Sequence, residues 1–320
     1  MTLSRRHVVT GAMALPALVP ALVPTLAGAE VFAGSYAPRA EALGEGIWMV
    51  RGADAPILFE NGGAIANSAF LATDAGTVLF DPGVSLAHGT ALAELARRTT
   101  GREVARVYVS HLHPDHAMGA AAFDPAIVHA LPATREGLLR DVEGFSDAMY
   151  RLLADWMKGT QIALPRGDVT AGEATFGGRT FQLLALDGHS GGDLALLDHA
   201  TGTLLTGDLV FHDRAPSTPH ADLGRWGRAL ETLQALPHRQ LLPGHGPPDT
   251  GARAIAQTWD WLDWLETSLR EAVTSGLSMV EAGRAAIPPR FAPLKAARYE
   301  LERSVSHLYP ALEAELLPAL

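Results

Sequence analysis

Residues 107–116, with the sequence VYVSHLHPDH, constrain this chain more than any other segment. An apolar run leads directly into the pattern H-x-H-x-D-H. His111 and His113 are two residues apart, so on extended backbone they project to the same side. Pro114 then ends the strand. Chance would place this pattern in roughly one chain in a thousand of similar composition. It therefore favours a metal site over polar residues that only cap a strand.

Asp115 and His116 follow Pro114 and can begin a helical turn, which offers a second pair of ligands close to the first. The chain has no cysteine, so any metal must be held by imidazole and carboxylate. These are the ligands that zinc and similar divalent cations take where no thiolate is available.

Three later apolar runs also end at a glycine-flanked ligand type. Phe181–Leu186 is followed by His189, Thr203–Gly207 by Asp208, and Leu241–Leu242 by His245; these residues follow the first motif in this order. Glycine allows the backbone to approach a metal closely. One such histidine is usually structural, and Asp208 has a turn-capping alternative. The three together predict ligands that converge on two metals.

The N-terminus predicts a twin-arginine signal peptide over residues 1–29. Arg5 and Arg6 precede an apolar run, and Ala27-Gly28-Ala29 supplies a small-residue cleavage site. Three prolines within the run disfavour a stable membrane-spanning helix, although an uncleaved anchor is the alternative. We therefore expect a periplasmic or secreted protein with no integral membrane span.

Charge and composition limit the partners. The net charge is -10, and the loss of two arginines with the leader takes it to -12. A surface this acidic argues against nucleic acid or an anionic membrane as the main partner. We expect a small-molecule substrate. Hydrophobic residues make up 48% of the chain, enough for a sizeable core.

Short apolar runs alternate with longer amphipathic segments up to residue 250. The predicted helices are Leu86–Arg98, Arg135–Met157 with a break at Gly144, and Trp226–Ala235. The predicted strands are Ile47–Val50, Ala64–Ala72, Thr77–Asp81, Val104–Ser110, Ile127–Ala130, Arg179–Ala185, Leu194–Asp198, Thr203–Gly207 and Gln240–Leu242.

Two series of strands with covering helices predict an α/β fold of the αββα sandwich type over residues 30–250. Residues 251–320 predict a helical C-terminal extension packed on the same domain. Its apolar residues recur at helical spacing from Ile255 to Val273, and short helices are expected around Pro288 and Pro289. Trp261 and Trp264 lie off this stripe and fit an entrance, an oligomer contact or ordinary packing.

The arrangement resembles the metallo-β-lactamase superfamily in its glyoxalase II-like branch. The resemblance implies that His111, His113 and His189 hold one metal, that Asp115, His116 and His245 hold the other, and that Asp208 bridges them. Two departures separate the chain from other branches. His113 stands where flavodiiron-type oxidoreductases have a carboxylate, and Asp208 stands where true β-lactamases have cysteine or serine.

The segments Glu60–Ser68 and Asp81-Pro82-Gly83 resemble more closely the sulfur-oxidation-related, or quinoprotein relay system, zinc metallohydrolases. That resemblance implies a periplasmic location and a possible quinoprotein dehydrogenase partner. It also implies that Asp81 orients a metal-binding histidine.

These features predict a hydrolase that uses two divalent cations, with zinc first and iron or manganese open. A hydroxide shared by the metals would attack an ester, thioester or lactone. Asp115 and Asp208 are the predicted catalytic residues, and Asp208 would orient the nucleophile. The alternatives are a mononuclear iron persulfide dioxygenase and a non-enzymatic periplasmic carrier or assembly factor.

A polar segment that follows Asp208 has two interpretations. Its residues contact a polar or anionic substrate, or they form an exposed loop. They are His212, Asp213, Arg214 and His220.

Overall fold

Two β-sheets pack against each other between layers of helices in the computed structural model, which describes residues 34–317. The predicted signal peptide, residues 1–29, lies outside the described residues. The first sheet has seven strands in chain order, antiparallel over the first four and parallel over the rest. The second has five strands. The last two strands along the chain pair in parallel, and all other pairs in this sheet are antiparallel.

The strands of the first sheet are β1 (Glu41–Gly44), β2 (Ile47–Val50), β3 (Ser68–Thr73), β4 (Gly76–Phe80), β5 (Val104–Tyr108), β6 (Val128–Ala130) and β7 (Gly167–Asp168). Those of the second are β8 (Gly172–Phe176), β9 (Arg179–Leu186), β10 (Asp193–Asp198), β11 (Thr203–Leu205) and β12 (Gln240–Leu242). The α-helices are α1 (Leu86–Thr100), α2 (Pro114–Ala117), α3 (Pro132–Leu153), α4 (Leu223–Ala235), α5 (Arg253–Thr274), α6 (Met279–Gly283) and α7 (Ala297–Leu316).

Alternation of side chains along the strands builds three apolar layers. In β3, Leu71 packs between the two sheets, whereas its neighbour Phe70 packs toward the outer helices of the first sheet. In β10, Leu196 faces the first sheet and Leu197 faces helices α4 and α5. Because both faces of each sheet are covered, these strands appear in the sequence as continuous apolar runs. The predicted αββα architecture is confirmed.

The C-terminal helices cover the outer face of the second sheet. Trp261 of α5 is fully buried in this layer with Leu265 and Phe291, so the interpretation as packing is correct, and an entrance or oligomer role for Trp261 is wrong. Among the described residues, no helix has the length and apolarity needed to cross a bilayer. The division at residue 250 stays a prediction.

Several expected boundaries were wrong. Helix α3 continues through Gly144, which is exposed, so a missing side chain there costs no packing. Helix α7 is one element of 20 residues despite Pro310, because Leu301, Val305 and Tyr309 are buried on one face. Strands β1, β7 and β8 were missed since they are short or partly exposed edge strands without a long apolar run.

Arg179 connects the two sheets at one edge of the sandwich. Its guanidinium donates to both carboxylate oxygens of Asp198 at 2.8 and 2.7 Å, and also to the carbonyl oxygens of Gly46 at 2.9 Å and Ala72 at 3.2 Å. The Asp198 side chain is fully buried, and the Arg179 side chain is 9% exposed. Removal of the arginine therefore leaves a buried carboxylate without its counter-charge.

We expect Arg179→Met to lower the free energy of unfolding by about 3 kcal/mol. The double variant Arg179→Met/Asp198→Asn should be more stable than the single variant, because the buried charge is then absent. Urea denaturation followed by circular dichroism measures both. As a control, Arg98→Met on the exposed face of α1 should change stability by less than about 0.5 kcal/mol. Equal losses of stability for Arg179→Met and Arg98→Met would contradict the role of Arg179 as the counter-charge of Asp198.

Candidate metal centre

The seven predicted ligands converge at one edge of the sandwich. Each lies just after a strand or in the short helix that follows β5. His111 and His113 follow β5, Asp115 and His116 lie in α2, His189 follows β9, Asp208 follows β11, and His245 follows β12. All seven are buried.

The first group of ligand atoms belongs to His111, His113, His189 and Asp208. His113 Nδ1 lies 2.9 Å from His111 Nε2 and 2.8 Å from His189 Nε2. Asp208 Oδ2 closes the group at 3.8 Å from His111 Nε2 and 3.4 Å from His189 Nε2. One ligand atom from each of these residues lies within 4.8 Å of the others.

A second group lies beside it. Asp115 Oδ2 lies 3.7 Å from His116 Nε2 and 3.4 Å from His245 Nε2. The other oxygen of Asp208, Oδ1, lies 3.0 Å from His116 Nε2 and 3.3 Å from His245 Nε2. Asp208 therefore turns one carboxylate oxygen to each group, and the two groups fit a dinuclear metal site.

Hydrogen bonds on the outer side of the rings show that the inward atoms suit cations. His116 Nδ1 lies 2.8 Å from Asp81 Oδ2, and His245 Nδ1 lies 2.9 Å from the carbonyl oxygen of Ile65. Both partners are acceptors, so each Nδ1 carries a proton, and in the neutral ring each Nε2 turns a lone pair inward. These lone pairs meet the carboxylate of Asp208, whose Oδ1 has no hydrogen-bond partner among the described residues. Divalent cations would satisfy these facing acceptors.

The pKa values describe the same region without a cation. Burial lowers the pKa of His111 well below its usual range, and the imidazole of His116 adds to this effect. For His116 burial acts in the same direction, but the carboxylates of Asp208 and Asp81 outweigh it and raise the pKa well above its usual range. Because a metal ligand must be the neutral imidazole, binding of a cation by His116 would require the loss of its second proton.

Asp81 orients ligands of both groups. Its Oδ1 accepts the backbone N–H of Ser110 at 2.7 Å, and its Oδ2 accepts the Ser110 hydroxyl at 2.8 Å as well as His116 Nδ1. The same hydroxyl lies 2.9 Å from His111 Nδ1. Asp81 adopts φ +60°, a left-handed conformation uncommon for a non-glycine residue. The structure thus agrees with the role that the family resemblance implies.

Two further polar residues hold the loops that carry His189 and His245. The Asn67 amide donates at 2.8 Å to the carbonyl oxygens of Pro243 and Gly246, on either side of His245. Ser190, which follows His189, donates its N–H and its hydroxyl to the two carboxylate oxygens of Asp193 at 2.9 and 2.7 Å. Both loops are therefore fixed independently of any metal.

The segment after Asp208 is partly buried. His212 and Arg214 are 5% and 2% exposed, whereas His220 is exposed, and its Nδ1 lies 2.8 Å from His113 Nε2. His220 therefore contacts a predicted ligand, although the sequence did not assign His220 to the metal site. In the sequence, only its closeness to Asp208 pointed to a role for His220 in the site. The contact with His113 depends on how residues 212–220 fold back over the site.

A cavity of about 370 Å³ opens onto both groups of ligands. Its floor includes the ligands His113, Asp115, Asp208 and His245, and His220 also lines it. This volume lies at the small end of the range for small-molecule sites.

Comparison with known proteins places this geometry in a family. The family model described as the metallo-beta-lactamase superfamily matches residues 61–245, which include all seven predicted ligands. The chain belongs to the metallo-β-lactamase superfamily.

Solved structures of this superfamily have the same fold. A metallo-β-lactamase from Pontibacter korlensis superposes with a TM-score of 0.58 at 18% identity, covering 71% of this chain and 99% of that one. The mono-zinc form of the metallo-β-lactamase FIM-1 from Pseudomonas aeruginosa gives 0.57 at 17%, covering 72% and 96%. One from Hirschia baltica gives 0.55 at 18%, covering 70% and 97%. At these identities the likeness concerns the fold alone.

Gly244 allows the backbone to pass directly beside Asp208. Its N–H donates to the carbonyl oxygen of Gly207 at 2.7 Å, and a Cβ added at this position would lie 1.9 Å from Asp208 Oδ1. A side chain there would displace the carboxylate shared by the two groups.

We expect Gly244→Ala to retain fewer divalent cations per chain than the wild type, with a metal affinity lower by at least about tenfold. Elemental analysis after dialysis against limiting chelator measures this. The matched control is Gly191→Ala in the His189 loop, where an added Cβ meets nothing within 4 Å. Full metal content in both variants would contradict a requirement for close approach at Gly244.

Proposed function

We propose that this protein is an exported dinuclear-metal hydrolase that cleaves small esters, thioesters or lactones. The observation that carries the proposal is the placement of Asp208, with one oxygen toward each group of ligand atoms. Superfamily membership and the two ligand groups support a metal-dependent hydrolase at the coarser level. Zinc, the substrate class and export belong to the proposal.

Two divalent cations bound there would lower the pKa of a shared water and polarise a carbonyl oxygen of the substrate. The residues of the chain fix the geometry in which this happens. Asp208 is held between the two groups, and Asp115 presents its carboxylate at the cavity floor. Ile57, Ile65 and Phe145 form part of the cavity wall, and such apolar walls exclude bulk water.

Three observations support the substrate class and the metal. The cavity volume of about 370 Å³ suits a small molecule. An aspartate occupies the position at which, by resemblance, true β-lactamases have cysteine or serine, and this argues against a lactam substrate. The donor set consists of imidazole nitrogens and carboxylate oxygens, which suits zinc.

The second ligand group favours this function over a mononuclear iron dioxygenase. Asp115, His116 and His245 are all buried, and their ligand atoms lie close enough to share one cation. A mononuclear enzyme has no need of three further buried ligands. The same convergence argues against a carrier without catalytic activity.

We expect two zinc ions per chain in protein purified from its native compartment, measured by elemental analysis. The protein should hydrolyse 4-nitrophenyl acetate, S-phenyl thioacetate or dihydrocoumarin, and a chelator should abolish this activity until zinc is restored. Asp208→Ala should hold no more than one cation and lose at least about a hundredfold in kcat/KM. The control is Asp263→Ala, at an exposed position of α5.

Two results would contradict this function. One is a single iron per chain together with oxygen-dependent consumption of a persulfide. The other is hydrolysis that Asp208→Ala leaves unchanged.

The twin-arginine pattern and the Glu60–Ser68 segment support export to the periplasm and an association with a quinoprotein dehydrogenase. The double variant Arg5→Lys/Arg6→Lys keeps the charge but removes the arginine pair, so we expect it to stay in the cytoplasm. Cell fractionation with immunoblotting measures this, and Arg39→Lys serves as the control. Normal export of the double variant would contradict the twin-arginine route.

A further inference from the structure

The C-terminal helix α7 forms part of the cavity wall. Tyr299, Glu300 and Arg303 line the same cavity as Asp115 and Asp208. These three residues lie beyond residues 61–245, the segment that matches the superfamily model. The metal ligands and this wall are therefore supplied by different parts of the chain.

A buried ion pair anchors this part of α7 to the site. Arg214 Nη2 lies 3.1 Å from Glu300 Oε1, and the two side chains are 2% and 1% exposed. Arg214 follows Asp208 closely in the chain, so the pair links α7 to the segment that carries the shared ligand. Residues on the next turn of α7 are thereby held at the cavity.

Arg303 is the residue on that next turn, and it shares Glu300 with Arg214. Its Nη1 lies 3.6 Å from Glu300 Oε2, too far for a good hydrogen bond, and its guanidinium lies 5.3 Å from the centre of the Tyr299 ring. The side chain is 39% exposed and lines the cavity. Arg303 therefore keeps hydrogen-bond donors for a ligand.

The cavity wall outside the predicted ligands contains two arginines and one acidic residue. These are Arg214, Arg303 and Glu300, which leave one positive charge in excess in that part of the lining. The buried Nε of Arg214 also lacks a hydrogen-bond partner among the described residues.

We propose that Arg303 forms a carboxylate-binding subsite, so that the substrate is an ester, thioester or lactone carrying a carboxylate group. The planar guanidinium fork matches the two oxygens of a carboxylate. Arg214 and Glu300 act as positioning residues that hold α7 in place. Phe145, Met149 and Leu152 on the opposite helix α3 contact the apolar body of the substrate. This inference rests on the proposed function, since it concerns the same cavity.

Two esters that share a leaving group test the subsite in the zinc-loaded enzyme. 4-Nitrophenyl hydrogen succinate carries a carboxylate, and 4-nitrophenyl acetate does not. We expect Arg303→Gln to lower kcat/KM for the succinate ester about tenfold, equivalent to about 1.4 kcal/mol, and to leave the acetate ester within about twofold. Arg303→Lys should retain part of the preference, because it keeps the charge without the fork.

Arg98→Gln, on the exposed face of α1, is the control and should resemble the wild type for both esters. An equal loss for the two esters in Arg303→Gln would overturn the subsite. So would unchanged kinetics for both esters.

Direct binding separates failure of the subsite from failure of the proposed function. Calorimetry would compare 4-phenylbutyrate, which carries a carboxylate and cannot be hydrolysed, with neutral 4-phenylbutanamide. If the protein hydrolyses neither ester but binds 4-phenylbutyrate in a manner that Arg303→Gln weakens about tenfold, the proposed function fails and the subsite stands. Binding of 4-phenylbutyrate that Arg303→Gln leaves unchanged would place the carboxylate on the metals and overturn the subsite.

Discussion

The carboxylate of Asp208 is the group on which the site depends. It is buried between two sets of imidazole nitrogens that turn lone pairs toward it, an arrangement that is repulsive unless cations or protons intervene. The fold must therefore hold acceptors together against their mutual repulsion before any metal binds. Neighbouring groups do this from outside, since Asp81, Ile65 and Ser110 each engage the outer nitrogen of a ligand ring.

The sandwich supplies this support because strands from both sheets end at the same edge. Backbone hydrogen bonds join the sheets close to the ligands, from Leu194 to Ser110 and from Asn67 to Gly244, each at 2.8 Å. Glycine at position 244 also lets the backbone pass directly beside Asp208. Ligands separated by more than a hundred residues in sequence thus lie within a few ångströms without a long, mobile loop to position them.

The sequence predicted which residues converge, because four of them form one motif after an apolar strand and the other three each follow an apolar strand beside glycine. It also predicted the alternation of strands and helices that builds the two sheets. The burial of Arg214 and the contact between His220 and His113 were not predictable in this way, because both depend on how a polar segment packs against distant elements. The continuity of α7 through Pro310 likewise depends on tertiary packing of Leu301 and Val305.

The Arg214–Glu300 pair has a consequence for how such a protein diverges. The ligands lie within residues 61–245, whereas Tyr299, Glu300 and Arg303 of the cavity wall lie on α7, which the buried ion pair and the packing of its apolar face hold in place. Substitutions at Tyr299 or Arg303 alter that wall and leave every ligand and its supporting hydrogen bonds in place. Substitutions in the last helix can therefore change the selectivity of the cavity while the metal ligands stay unchanged.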